Sequence, residues 1–295
     1  MTTTKYSVIQ EGTVYIDYGP ITMTLEARRE GYPFTEAAVT GAERVLEVFN
    51  DFTVYLDFLR KPVGAIASVP DNAPQTVRKM TESVMLLGEG DFTSLAAVAG
   101  TTSDFAVEAM AACGADYALA NNGGDIAWYI SMKQKSFLNV GLISDVSSGR
   151  TTHSLKIKSF GEIRGLATSG LGGRSLTRGI ASAVTALAAN SSMADAAATA
   201  IANACYCDDP AIEQCKAVEL DYGTDIPELY VTKSVGILPD KSALIAASAG
   251  VERAEQLIDK GIICGAVIFV ANEMRIAVSK NGMELFEVTK LDSCH

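Results

Sequence analysis

The sequence predicts an α+β fold, a central mixed or antiparallel sheet layered with helices, and three observations carry that expectation. Strand-like stretches rich in β-branched and aromatic residues open the chain and recur in its middle and its last third. Helical stretches, with apolar residues at i, i+3, i+4 spacing, fall between them in no steady strand–helix–strand rhythm. No Pro- or Ser-rich linker divides the 295 residues, so a single domain spanning 1–295 is expected.

Taken in order, residues 6–28 alternate (YSVIQ, TVYIDY, ITMTLEA) and predict two or three opening strands. Glu43 to Leu59 places Val45, Val48, Phe49, Phe52, Tyr55, Leu56 and Leu59 at i, i+3, i+4 spacing, an amphipathic helix. Asn72 can cap a second helix with Pro74 in its first turn and Gly88 beyond its end. Leu95 to Cys113, built of small residues, predicts a third. Then the period changes, and Tyr117–Ser131, Ser136–Ile143, Ser154–Phe160 and Arg164–Thr168 read as strands. Ser192 can cap the Ala-rich helix that follows, with Asp208, Asp209 and Pro210 beyond it. A strand at Leu229–Ser234, a helix at Lys241–Lys260 and strands at Ile262–Ala271 and Arg275–Ser279 complete the chain.

Composition excludes several classes of function. Hydrophobic residues make up 48% and charged residues 20%, so the chain can bury a core. With 24 Lys+Arg against 35 Asp+Glu, its net charge of -11 repels phosphate backbones, and no nucleic-acid partner is expected. Its longest apolar run, Ile262–Ala271, is too short to span a bilayer. The N-terminal residues lack an apolar export segment and the six cysteines suit a reducing compartment, so a cytoplasmic location is expected. The Ala-rich helix and the apolar C-terminal strands predict a homo-oligomer. Only His153 and His295 are histidines, which rules out a three-histidine metal site and leaves His153, read as a loop residue among Ser and Thr, on the catalytic list.

Three stretches can carry chemistry. Asn121-Asn122-Gly123-Gly124-Asp125 interrupts a strand with two glycines. This marks a bulge, a tight turn or a close approach by a ligand, with Gly amides for an anion and Asn122 and Asp125 for polar contacts. Thr168-Ser169-Gly170 followed by Gly172-Gly173-Arg174 sets a hydroxyl pair beside a Gly-rich stretch and a guanidinium. It suits an anionic ligand or is a surface loop. Asp195 and Thr199 share one helix face a turn apart, where a carboxylate and a hydroxyl can hold Mg²⁺ or sit as a polar pair near a helix start. Cys205, Cys207 and Cys215 lack a standard zinc spacing and read first as small buried residues. A fourth ligand for them would have to come from Cys113, Cys264 or Cys294.

In this order, NNGGDI, ATSG and ADAAATA resemble the ApbE-like superfamily, whose best-known members transfer FMN from FAD to a protein threonine. APQTVRKM, SLAAVAG, VTKSVGILP and GIICGAVIFV extend the likeness to a largely uncharacterised bacterial and archaeal branch, over roughly two-thirds of the chain. The resemblance implies an ApbE-like fold, Mg²⁺ on Asp195 and Thr199, and a flavin nucleotide against Gly123 and Gly124. The chain departs from the flavin transferases in lacking their N-terminal Ser/Asn-rich block. It also carries Gly173-Arg174-Ser175-Leu176-Thr177-Arg178 where they carry His-x-x-Asp-Pro.

Three functions follow as expectations. The first is an enzyme acting on a small polar or anionic molecule, with hydrolysis or ring opening ahead of redox chemistry. Ser169 or Thr168 and Asp195 would stand near the reacting group, the Gly123 and Gly124 amides would bind an anion, and Arg174 would clamp the substrate. The second is a Mg²⁺-dependent FAD pyrophosphatase or FMN transferase. The third is a non-catalytic accessory protein in sulfur or cofactor metabolism, in which Cys205 and Cys207 matter.

Overall fold

The computed structural model describes residues 5–131, 138–144, 149–280 and 282–291. His295, Cys294 and the first two residues of the expected Ser136–Ile143 strand lie outside them. The protein is α+β and forms two compact units that interleave along the chain. One comprises Met1–Lys135, Arg164–Ala167 and Asn190–Asp195, the other Ser136–Ile163, Thr168–Ala189 and Ala196–His295.

The first unit opens with β1 (Tyr6–Gln10), β2 (Thr13–Tyr18), β3 (Ile21–Arg29) and the short β4 (Tyr32–Pro33). Four helices follow: α1 (Thr35–Val54), α2 (Leu56–Leu59), α3 (Gln75–Met85) and α4 (Val98–Ala112). The hairpin β5 (Tyr117–Asn122) and β6 (Asp125–Ile130) comes next. The strands pair antiparallel in the order β1-β2-β3-β5-β6, with β4 folding back on β3. β3 alternates cleanly, with Ile21, Met23, Leu25 and Ala27 buried and the residues between them half-buried. Those side chains join Ala118, Ala120 and Ala127 of the hairpin against Val45 of α1 and Ala106 and Met110 of α4. Small residues let the helices come close: a methyl group at Gly41 would stand 2.7 Å from Met110 Cγ.

This contact explains why α1 begins at Thr35, eight residues before the predicted Glu43. Ala37, Ala38, Gly41 and Ala42 are its buried face, and a search for large apolar residues passes over them. Nor does Asn72 cap α3, which starts at Gln75 with Pro74 at its N-cap and no side-chain cap. The third predicted helix divides into a 3-10 turn at Ser94–Ala97 and α4.

Next, the chain adds β7 (Leu138–Leu142) and β8 (His153–Ile157) to the second unit. It returns to the first with β9 (Gly165–Ser169), whose Gly165 and Leu166 pair with Ala127 and Ile126. β10 (Ala183–Ala188) lies in the second unit, and α5 (Ser191–Ala204) begins in the first and continues in the second. The remaining elements belong to the second unit: β11 (Ile212–Lys216), α6 (Ala217–Leu220), β12 (Tyr230–Val235), α7 (Asp240–Asp259), β13 (Gly265–Val270), β14 (Glu273–Val278), α8 (Gly282–Leu285) and β15 (Phe286–Lys290). There β10-β13-β14, β15-β8-β7 and β11-β12 form antiparallel ladders.

Strands β10, β11 and β15 have no counterpart in the sequence expectations. β10 is AVTALA, buried at every position, so it shows neither the alternation of a half-buried strand nor its β-branched composition. Among the described residues no helix is long and apolar enough to cross a membrane.

Candidate functional site

Gly123 and Gly124 make the two-residue turn of the β5–β6 hairpin, at φ +68° and +111°. Positive φ at both central residues matches the twist of the flanking strands, which is why glycine stands twice here. The turn pairs Asn122 with Asp125, and β3 sets Met23 beside Asn122. It is thus a tight turn, and the Gly124 amide is already engaged, donating to Asn121 Oδ1 at 3.0 Å. Asn122 is buried, with its Nδ2 3.5 Å from the Ala99 carbonyl, and Ser103 Oγ donates to the Asp125 carbonyl at 2.8 Å. The hairpin tip therefore lies along the first turns of α4.

The N-terminus of α4 has no cap of its own, because Ala97 at the N-cap offers no side-chain oxygen. Asp195, 95 residues away in sequence, supplies it: the Gly100 amide donates to Asp195 Oδ2 at 2.9 Å, and the Ala99 amide also bonds the carboxylate. Asp104 of α4 does the converse for α5. Its Oδ1 accepts from the Ser191 amide at 2.8 Å, and its Oδ2 accepts from the Ser192 amide at 3.0 Å and from Ser192 Oγ at 2.5 Å. Each helix caps the other. Asn190 completes the second cap by accepting the Met193 amide at 2.8 Å. Asn190 thus fills the role predicted for Ser192, whose hydroxyl turns to Asp104 instead.

Two glycines make room for this crossing. A side-chain carbon at Gly100 would overlap the Ser191 carbonyl and stand 2.8 Å from Asp195 Cβ, and one at Gly165 would overlap the Ser191 amide.

The electrostatics are negative. Burial pushes the Asp195 carboxyl well above the usual range, and the charge of Asp125 pushes it further. The Gly100 and Ala99 amides pull it back, and Asp104 adds a smaller upward push. Lys79 answers Asp104 at 3.1 Å and Glu108 at 2.9 Å while its ammonium lies over Phe105. Burial lowers the Lys79 pKa, but the two carboxylates more than offset it and hold it above the usual value. Beside Gly100, the fully buried Thr101 hydroxyl finds no hydrogen-bond partner among the described residues.

Of the predicted site residues, the first unit therefore brings together Asn122, Gly123, Gly124, Asp125 and Asp195. Thr199, half-buried, lies one turn along α5 from Asp195. The others belong to the second unit. Thr168 Oγ1 bonds Thr185 Oγ1 at 2.8 Å, and Ser169 is buried at the end of β9. Arg174 is exposed in the segment after it.

His153 is not in a loop. It opens β8 between Leu142 and Lys290, buried, with Nδ1 2.9 Å from Thr152 Oγ1 and its ring 5.1 Å from that of Phe269. Burial first, and then Lys290, lower its pKa, so it resists protonation.

Cys205 is fully buried against Gly250, its thiol pushed up to about 12 by burial, and Cys207 is buried beside Ser242 with its pKa raised mainly by burial. Among the described residues no three His, Cys, Asp or Glu side chains form a metal-ligand set.

Lys79 and Gly100 fall within the motifs APQTVRKM and SLAAVAG without a role assigned to them, and Asp104 and Asn190 fall outside every motif. One signal was available: Asp104 and Glu108 are like charges at i, i+4 in a helix of small residues, a repulsion that calls for a cation between them.

Comparison with known proteins bears on the fold and the family. The UPF0280 protein of Methanothrix thermoacetophila is 35% identical over 202 residues, covering 66% of this chain and 78% of that protein. The UPF0280 protein of Methanocella arvoryzae is 39% identical over 175 residues, and there the match covers 59% of this chain and 65% of the relative, just under two-thirds of its length. Among solved structures, the flavin transferase ApbE from Vibrio cholerae superposes with a TM-score of 0.52 at 12% identity, over 92% of this chain and 98% of that one. The ApbE protein of Thermotoga maritima gives 0.50 at 14%, over 94% and 99%. At such identities the likeness is one of fold. A family model described as AbpE bacteria matches residues 6–276, and the chain belongs to that family.

Proposed function

We propose that the Asp195 centre holds Mg²⁺ for a nucleotide pyrophosphate, and that the chain is a Mg²⁺-dependent enzyme acting on FAD, as a pyrophosphatase or an FMN transferase. The observation that carries this reading is the convergence of three distant segments. The Asn122–Asp125 turn, the first turn of α4 and Asp195 meet in one unit, although 70 residues of sequence separate Asp125 from Asp195. The likeness in fold to ApbE flavin transferases supports it.

The donor set fits a hard cation. Asp195 has lone pairs beyond those taken by the Gly100 and Ala99 amides, and the Thr101 hydroxyl has no hydrogen-bond partner among the described residues. Mg²⁺ commonly takes one or two protein carboxylates and completes its shell with water and substrate phosphates, so no third acidic ligand is required.

Both helix starts are already filled by carboxylates, so neither serves as the phosphate-binding end that a free helix N-terminus offers. The negative charges of Asp125 and Asp195 oppose an anionic pyrophosphate, and a cation at Asp195 would offset that opposition. Binding is therefore cation-dependent. Bound Mg²⁺ would polarise the pyrophosphate and neutralise charge on the leaving phosphate. Of the chain's own residues, Asp195 would hold the cation, and the Asn122–Asp125 turn packed beside it on α4 would border the nucleotide.

Hydrolysis or ring opening of a small molecule draws no comparable support. Of the groups it would use, Thr168 is bonded to Thr185 and His153 to Thr152, while Asp195 and the glycine turn serve either reading. The accessory reading fares no better, since thiols held protonated by burial are poor nucleophiles.

The test is a titration of the protein with FAD, with and without Mg²⁺, followed by flavin fluorescence and an assay for FMN. Mg²⁺-dependent binding in the range of about 1–100 μM is expected. FMN released to water marks a pyrophosphatase, and FMN retained on a threonine-containing acceptor marks a transferase. No binding with Mg²⁺ at about 1 mM FAD overturns the proposal.

A further inference from the structure

Asp195 reaches the start of α4 only if the first turn of α5 is held at one height and one rotation. Besides a 3.4 Å bond from the Ser191 hydroxyl to the Leu166 carbonyl of β9, no bond close in sequence does that among the described residues. Asn190 caps the Met193 amide, but it precedes α5 and moves with it. What ties α5 to α4 is Asp104, whose two oxygens take the Ser191 amide, the Ser192 amide and the Ser192 hydroxyl. Lys79, on α3, in turn fixes Asp104 by an ion pair at 3.1 Å. Asp104 is 5% exposed, so the hydrogen bonds to Ser191 and Ser192 and the Lys79 ion pair are what offset the cost of burying a polar group there. Gly100 and Gly165 leave no slack on either side of Ser191.

From this geometry we infer that Asp104, anchored by Lys79, is the positioning residue for Asp195: it acts through the Ser191 and Ser192 amides to hold the carboxylate against the Gly100 amide. The inference rests on the reading of Asp195 as the cation ligand for its functional meaning, but the positioning itself is measurable without any ligand. A carboxylate that ligates a metal needs such an orienting partner, and loss of one commonly costs about 10- to 100-fold in affinity.

The experiment compares the full-length parent chain with Asp104→Asn, Ser192→Ala and Lys79→Met by amide hydrogen exchange. Half-saturation by Mg²⁺ is measured separately, in the presence of FAD. In Asp104→Asn, exchange is expected to rise about 10-fold at Ser191 and Ser192 and also at the Gly100 amide, to which the Asp104 side chain makes no bond, while Met110 near the other end of α4 stays within about twofold. The Mg²⁺ half-saturation should rise about 10-fold with the FAD affinity at saturating Mg²⁺ little changed. Lys79→Met should show the same pattern at smaller amplitude, and Lys79→Arg should restore it.

Faster exchange at Ser191 and Ser192 with Gly100 unchanged would reduce Asp104 to a local cap and overturn the inference. So would an unchanged Mg²⁺ half-saturation in a variant that loosens Gly100. Should Asp104→Asn fail to fold, Ser192→Ala, which removes only the hydroxyl bond, makes the same comparison. Should the parent bind neither Mg²⁺ nor FAD, the flavin reading fails, and exchange at Gly100 still decides whether Asp104 positions Asp195.

Discussion

The facing starts of α4 and α5 in the first unit hold carboxylates and hydroxyls beside glycine, and the surroundings of His153 and Thr168 in the second hold hydroxyls and an imidazole. They use them differently. In the second unit the polar atoms pair off, Thr168 with Thr185 and His153 with Thr152, and leave little reactivity behind. In the first unit Asp195 and Asp104 bond backbone amides, yet Asp125 adds a third negative charge nearby and the Thr101 hydroxyl is left over. The second region satisfies its polar groups in pairs, while the first gathers Asp195, Asp125 and Asp104 with Lys79 set against Asp104.

The sharpest way to break this contrast is Gly100→Ala. The new methyl overlaps the Ser191 carbonyl, a backbone atom that cannot step aside, so unfolding by urea should show a loss of about 3 kcal/mol or more. Gly179→Ala in the second unit, overlapping the Ala202 carbonyl, should cost a similar amount. Only the former would also displace Asp195.

Asp195→Asn comes next. It keeps the shape and one acceptor for the Gly100 amide but removes the charge, and FMN formation should fall by about 10²-fold or more with the fold intact by circular dichroism. A variant with full activity would move the cation away from α5.

Cys205 tests the second unit. A hydroxyl there, in Cys205→Ser, would be buried beside Gly250 and should lower stability by about 1–3 kcal/mol. Its thiol, pushed up to about 12, should resist iodoacetamide at pH 8 until the protein unfolds. Rapid labelling in the native state would reopen a role for the thiol.

The smallest effect belongs to His153. Burial depresses its folded-state pKa below 6.5, so the unfolded chain binds the proton more readily. The stability its neutral form contributes is present in full above pH 6.5 and is lost as pH falls through and below it. Melting temperatures of the parent should therefore drop more steeply than those of His153→Gln between about pH 7 and 5. Parallel curves would show that His153 does not carry the dependence.

Some of this architecture was legible in advance. The opening strands show because β3 buries every second residue, and α3 and α7 show because their apolar residues recur on one face. Strand β10 was hidden because a strand buried on both faces has no period, and the start of α1 because its buried face is alanine and glycine. Gly123 and Gly124 announce an interruption without saying whether it is a bulge or a turn, since glycine tolerates both.

Residue type and spacing along the chain determined the fold class, the acidic surface and the family motifs, because these follow from local hydrophobic period and composition. Tertiary structure alone decided that Ala97 leaves α4 uncapped for Asp195, that Asp104 repays α5, and that Lys79 must stand between two carboxylates. A hydrogen bond across 87 or 95 residues leaves no local pattern: the amide it satisfies is the same in every sequence, and only the closing of the chain shows which carboxylate arrives.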